Sequence, residues 1–254
     1  MRLPRRLKHD QTAEVVEHLE ELRWRIMVAL AAVAVATAVA FVFHGNILDW
    51  LAKPLPPDHR HVAAFGVTEP LTVSVTVSLY AGILFAVPVI LWQAWSFLAP
   101  ALDPAGERRI LALAAFGLAL GAAGLAFGYD ILLPRAVHWL TNYDNVHFHL
   151  LIRASNYYSF VASVLLGVVG VFELPLVVLA LVNLGVLTSR TLRRNRRRGY
   201  FLVALIALAL PGPDPVTTLL ELLPMWVLFE GSIWLAVLAE RRYRRADRLA
   251  AAET

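Results

Sequence analysis

Acids set among arginines are the side chains in this sequence best placed to do chemistry. In His18-Leu19-Glu20-Glu21-Leu22-Arg23-Trp24-Arg25, two adjacent carboxylates precede a run of eighteen uncharged residues, 26–43. Read as a helix, Glu21 and Arg25 are i,i+4 neighbours, while Leu19, Leu22 and Ile26 share another face. Two readings are open: a solvated, self-neutralised lead-in to a membrane helix, or a surface that presents acid to the cytoplasm. Glu173 stands inside a second apolar run, in Phe172-Glu173-Leu174-Pro175. An ionised acid near mid-membrane costs about 2.5–3.5 kcal/mol on insertion scales. It is either a polar site that meets a proton or substrate in an interior cavity, or a hydrogen-bond partner for carbonyls freed by Pro175. Asp214, in Pro211-Gly212-Pro213-Asp214-Pro215, is either ordinary turn chemistry or a periplasmic site, with Glu221 soon after. Glu230 is placed to form an ion pair with a basic connector.

Other chemistries are excluded. His59 and His61, and again His147 and His149, alternate as strand ligands would, but no third ligand lies at useful spacing, so no metal site is expected. There is no dinucleotide or phosphate loop, no HExxH and no nucleophile elbow. Hence no cofactor is expected, and no enzyme. Cysteine is absent, which removes disulfides and thiol chemistry. The arginine-rich connector is better explained by membrane orientation and anionic lipid than by nucleic acid.

The elements that must hold these acids are membrane helices. Of 254 residues 59% are hydrophobic and only 17% charged, with a mean hydropathy of +0.63. A hydrocarbon core of about 30 Å takes about 20 helical residues, and the apolar runs are continuous rather than alternating. The predicted class is an all-α integral membrane protein with six transmembrane helices: about 26–43, 71–98, 110–129, 157–184, 199–213 and 216–238. Residues 1–25 form an amphipathic head, 26–238 the membrane domain and 239–254 a charged tail. Residues 44–70 and 130–156 read as long loops. The last two spans read as short, the fifth offering about 22 Å of helix.

Charge sets the orientation. With six spans, the head, the 103–109 loop, the 185–198 connector and the tail share one side and hold 19 of the 23 Lys and Arg. The other side holds Lys53, Arg60, Arg135 and Arg153. The positive-inside rule then puts both termini in the cytoplasm of a bacterial or archaeal cell.

Five segments in order resemble the TatC family, receptor subunits of the twin-arginine protein translocase. They are the His18–Arg25 stretch; Pro88 to Phe97 leading into Pro100-Ala101-Leu102 and Glu107-Arg108-Arg109; Phe172–Pro175; the Pro213-Asp214 turn; and Pro224-Met225-Trp226-Val227-Leu228-Phe229-Glu230. Two departures stand out: four residues rather than three separate Leu102 from Glu107, and Pro or Gly replaces a Thr ahead of Asp214. The resemblance implies a concave bundle and a receptor for the Arg-Arg signal peptides of folded exported proteins, driven by protonmotive force. Glu21, Arg23 and Glu107 would contact the signal peptide, Glu173 would be an intramembrane polar site, and Asp214 would lie in a periplasmic turn. Partners would be TatA and TatB, or one TatA-like protein, docking at spans five and six, with homo-oligomers in the receptor complex. The competing reading is a proton-coupled secondary transporter of a small solute that uses Glu173 as relay.

Overall fold

A computed structural model describes residues 9–57, 62–98, 106–143, 147, 150–210 and 215–250. Side chains are described for these positions except 9–18, 98, 106–110, 239 and 241–250. The chain is helical almost throughout. In order come α1 (His9–Val42), α2 (His44–Ala52), α3 (Glu69–Leu98), α4 (Gly106–Ala126), a π-helical stretch (Phe127–Leu132), α5 (Leu133–Asn142), α6 (Ala154–Phe172), α7 (Leu174–Asn183), α8 (Ser189–Arg194), α9 (Arg196–Ala209) and α10 (Pro215–Ala250). Extended pairing among the described residues is confined to an isolated parallel bridge between Ala63 and Arg153.

Five stretches are long and apolar enough to cross a membrane: Leu19–Val42, Glu69–Phe97, Leu111–Asn142, Ala154–Asn183 and Pro215–Leu238. The sixth apolar helix is α9, whose 14 residues rise only about 21 Å. Shortness is concentrated there, because α10 runs for 36 residues and its apolar part for 24. The head described from His9 onward is continuous with the first span in one 34-residue helix.

The two segments read as loops carry helix. Residues 44–52 form α2, held to the bundle by Tyr129, whose hydroxyl donates to the Trp50 carbonyl (2.8 Å) and whose ring stacks on Trp50 at 3.8 Å. Tyr157 likewise donates to the Leu51 carbonyl at 2.8 Å. Residues 130–142 continue the third span. Pro134 cannot donate a backbone hydrogen bond and its ring crowds the carbonyl four residues back. The preceding turn widens to π geometry, with the Leu133 N–H bonding to the Gly128 carbonyl, and the helix resumes as α5. Leu133, Ala136, Val137 and Thr141 then form a buried face that rescues a segment whose charges had suggested a loop.

Helices in lipid gain little from apolar burial, so close approach through small residues does much of the packing. A Cβ on Gly82 would stand 2.2 Å from Thr37 Oγ1 and 2.7 Å from its backbone, which fixes α1 tightly against α3. A Cβ on Gly199 would enter the Phe229 ring, which joins α9 to α10. One buried cluster, including Leu55, Val77, Leu132, Val161 and Leu165, fills the end of the bundle under α2. A second, built on Val171, Val203, Met225, Phe229 and Ile233, ties α9 and α10 to the rest.

Candidate functional site

The acids set among arginines begin on α1. The pair expected from helical spacing forms: Arg25 Nε donates to Glu21 Oε1 at 3.0 Å and its Nη2 donates to the same oxygen. The Glu21 side chain keeps 34% of its exposure. An ion pair this open is worth about 0–1 kcal/mol, so a second guanidinium can share or displace Arg25 at little cost. Glu20 and Arg23 are exposed beside it.

Glu107 is the second residue of α4, and its side chain lies outside the described set. Between the helices that carry Glu21 and Glu107, α1 packs on α3 and α3 on α4. Asp214 lies outside the described residues altogether, as do His59, His61 and His149. Among the described residues no cluster of His, Asp or Glu could hold a metal.

Glu173 interrupts the fourth span. It is the junction between α6 and α7, where its carbonyl accepts from the N–H groups of Leu176 (3.0 Å) and Val177 (3.1 Å) and Pro175 sits at the start of the new helix. Its carboxylate does not turn back to carbonyls freed by Pro175. It points across to α4, against two glycines: a Cβ on Gly117 would come within 3.2 Å of Oε2, and one on Gly121 within 3.1 Å of Oε1. Both oxygens are buried, and neither has a hydrogen-bond partner among the described residues. A cavity of about 210 Å³ adjoins them, bounded by Val87 and Pro88 of α3, Gly121 of α4 and Val169 of α6. Buried polar groups are rarely left without partners, and the described residues supply none for this carboxyl group.

Glu230 carries the expected ion pair, to Arg196 Nη2 at 3.1 Å, and also accepts from the Tyr200 hydroxyl. Two further acids went unnoticed in the sequence. Glu240, in the tail, accepts from the Ser189 N–H at 2.5 Å and the Ser189 hydroxyl at 2.6 Å, anchoring α8 to α10 just beyond its apolar part.

Glu69 is the other. It is buried, and accepts from the Phe65 N–H (2.8 Å), Arg153 Nε (2.9 Å) and the Ser155 N–H (3.1 Å). It thus clasps the two connecting segments where Ala63 and Arg153 pair, and the carboxylate raises the Arg153 guanidinium above its ordinary value. A lone acid just before Pro70, at the start of a long uncharged run, was the available signal.

Comparison with known proteins follows the same lines. A family model described as Sec-independent protein translocase protein (TatC) matches residues 17–224. The TatCd protein of Bacillus subtilis (strain 168) is 36% identical over 239 residues, covering 94% of this chain and 97% of its own. The TatC protein of Aquifex aeolicus (strain VF5) is 31% identical over 239 residues, covering 92% and 99%. Among solved structures, a crystal structure of the twin arginine translocase receptor TatC aligns with a TM-score of 0.77 at 30% identity, covering 88% of this chain and 99% of that one. A second crystal structure of that receptor, in DDM, aligns at 0.78.

Proposed function

The chain belongs to the TatC family of Sec-independent protein translocase subunits, and from that premise we propose that Glu21 and Glu107 receive the paired arginines of a signal peptide. The protein is a multi-pass membrane subunit of the Tat translocase, not an enzyme, and its family works with TatA and TatB partners. The transporter alternative gives way to that membership.

The observation that carries the site is the half-buried carboxylate of Glu21, paired with Arg25 and still open on one side to solvent. Guanidinium groups bind carboxylates in bidentate fashion, with a planar match that lysine lacks. Glu107 starts α4 at the same end, so each acid takes one arginine of the pair, and the exposed Arg23 beside Glu21 is a further contact of the signal peptide. Both termini face the cytoplasm of the cell membrane, and transport of the folded cargo draws on the protonmotive force. Glu173 offers its two acceptors to a polar group of an incoming partner helix or to water during that step. TatA and TatB helices, or a single TatA-like helix, dock along α9 and α10. The receptor complex holds more than one copy of this chain, and Asp214 stands at its periplasmic turn.

Site-specific photocrosslinking of a precursor to this protein in membranes tests the central contact. A precursor carrying Arg-Arg crosslinks, while one carrying Lys-Lys crosslinks at least ten-fold less, a gap of about 1.4 kcal/mol. The variants Glu21→Gln and Glu107→Gln each lose the Arg-Arg crosslink while remaining inserted. Full crosslinking in both variants would sink the assignment.

A further inference from the structure

Arginines 190, 193, 194, 196, 197 and 198 fall within nine residues that contain no acid, and all six are exposed. Arg196 is spoken for by Glu230. The other five make no hydrogen bond or ion pair among the described residues. Their depth is set by two contacts on α10: Arg196 meets Glu230 at one end of the segment, and Ser189 meets Glu240 at the other. Those ten residues of α10 rise about 15 Å. Between them lies Gly231 to Leu238, the last uncharged turns of the sixth span. The arginine segment therefore stands beside helix that is apolar enough to lie in lipid tails. Guanidinium groups at that depth draw in phosphate or water rather than sit in hydrocarbon.

An apolar groove opens at the same level. Tyr200 of α9 and Trp226, Val227, Glu230, Gly231 and Trp234 of α10 line about 750 Å³ of open space, and Tyr200 and Glu230 are both in contact with one another. Trp226 and Trp234 are 43% and 65% exposed. A ligand that fits both features has an anionic oxygen head and a long apolar tail.

We propose that this face seats an anionic phospholipid, its phosphate on the unpaired arginines of the 190–198 segment and an acyl chain along the Trp226–Trp234 groove. Bidentate arginine–phosphate contacts favour an anionic headgroup over a zwitterionic one, whose own ammonium is repelled by the cluster. Arg196, already neutralised by Glu230, holds α9 in place and is not part of the headgroup site. The source of the lipid, the cytoplasmic leaflet, rests on the orientation given under the proposed function. The site itself does not.

Full-length protein in symmetric bilayers tests the site independently of orientation. Tryptophan quenching is measured with brominated phosphatidylglycerol and with brominated phosphatidylcholine at equal mole fraction. The groove signal is the part lost in Trp226→Phe/Trp234→Phe, since the chain has seven tryptophans. Phosphatidylglycerol should be enriched at the groove at least about five-fold, the ratio that one surface arginine supplies. The variant Arg190→Gln/Arg193→Gln/Arg194→Gln/Arg197→Gln/Arg198→Gln should bring the ratio close to one with its helix content unchanged. Equal quenching by the two lipids in the unmodified protein overturns the proposal, and so does a preference that survives in the arginine variant. Loss of the preference on adding inorganic phosphate at constant ionic strength also overturns it, since a free anion is then the ligand. The groove lies on the α9–α10 face that a TatA-like helix also uses, so quenching is measured on this chain without that partner; absence of groove quenching by either lipid, as a docked protein copy would cause, also overturns the proposal. An orientation failure shows elsewhere, as labelling of a single cysteine at position 53 from the cytoplasmic side.

Discussion

Glu173 and its two glycines form the most specific arrangement in the molecule. An acid within an apolar run marks itself in any sequence, but the glycines facing it do not. Gly117 and Gly121 read as generic close-packing residues, one helical turn apart, yet each gives room to one oxygen of the same carboxylate. Adding a methyl group at 121 places it 3.1 Å from Oε1, whereas its apolar neighbours Val169 and Val87 stand at 3.7 and 3.9 Å, ordinary contact distances. Gly121→Ala should therefore cost about 1–3 kcal/mol through overpacking, read as a lower thermal unfolding midpoint in detergent. In a Glu173→Ala background the same change should be nearly neutral, because the clashing group is gone. A double-mutant cycle measures the coupling; additive effects would show that the glycine serves helix packing rather than the acid. Glu21 is the opposite case: its i,i+4 pairing with Arg25 was legible because the helix alone dictates it.

Between elements, the connections around Ala63 and Arg153 depend on one side chain. Glu69 accepts two backbone N–H groups and a guanidinium from residues 65, 153 and 155, the last two 84 and 86 positions away in sequence. Removing it takes away the buried acceptor that joins these three donors, whereas most exposed ion pairs can be deleted at little cost. Glu69→Ala should speed cleavage within residues 62–68 and 150–155 in limited proteolysis of the purified protein, and Glu69→Gln should do so less, since an amide oxygen still accepts. Unchanged cleavage in Glu69→Ala would mean that α2 and the tyrosine bonds hold the cap without it. Those bonds, from Tyr129 and Tyr157 to carbonyls at the end of α2, turn a proline-rich connection into packed structure. The short α9 has a similar dependence on α10, through Gly199 against Phe229 and through Arg196 and Tyr200 on Glu230.

For the whole molecule, the decisive property is the asymmetry of charge. With 19 of 23 basic residues on the side of the head, connector and tail, insertion is biased to leave that side in the cytoplasm. The chain has no cysteine, so single-cysteine variants report orientation without background. Arg194→Cys should react with a membrane-impermeant maleimide only from the cytoplasmic side, and Lys53→Cys only from the opposite side; both positions are exposed. The reverse pattern would invert the assignment and remove Glu21 from reach of cytoplasmic signal peptides. The same asymmetry concentrates arginines beside the end of α10, where the bilayer meets the thinnest corner of the bundle.

The sequence by itself determined the membrane class, the number and order of apolar helices, and the acids at their ends, because length, hydropathy and charge act locally along a chain crossing a slab. Motif order extended that to the family. Contacts between helices were decided only by tertiary structure. The turn of Glu173 toward α4, the clasp of Glu69 on Arg153 and the anchoring of α8 by Glu240 join residues 51 to 86 positions apart, or in different helices. The continuation of span three through α5 was hidden for a related reason. Its charged and proline-bearing sequence is helical because one face is buried against the bundle, a condition that no local pattern records.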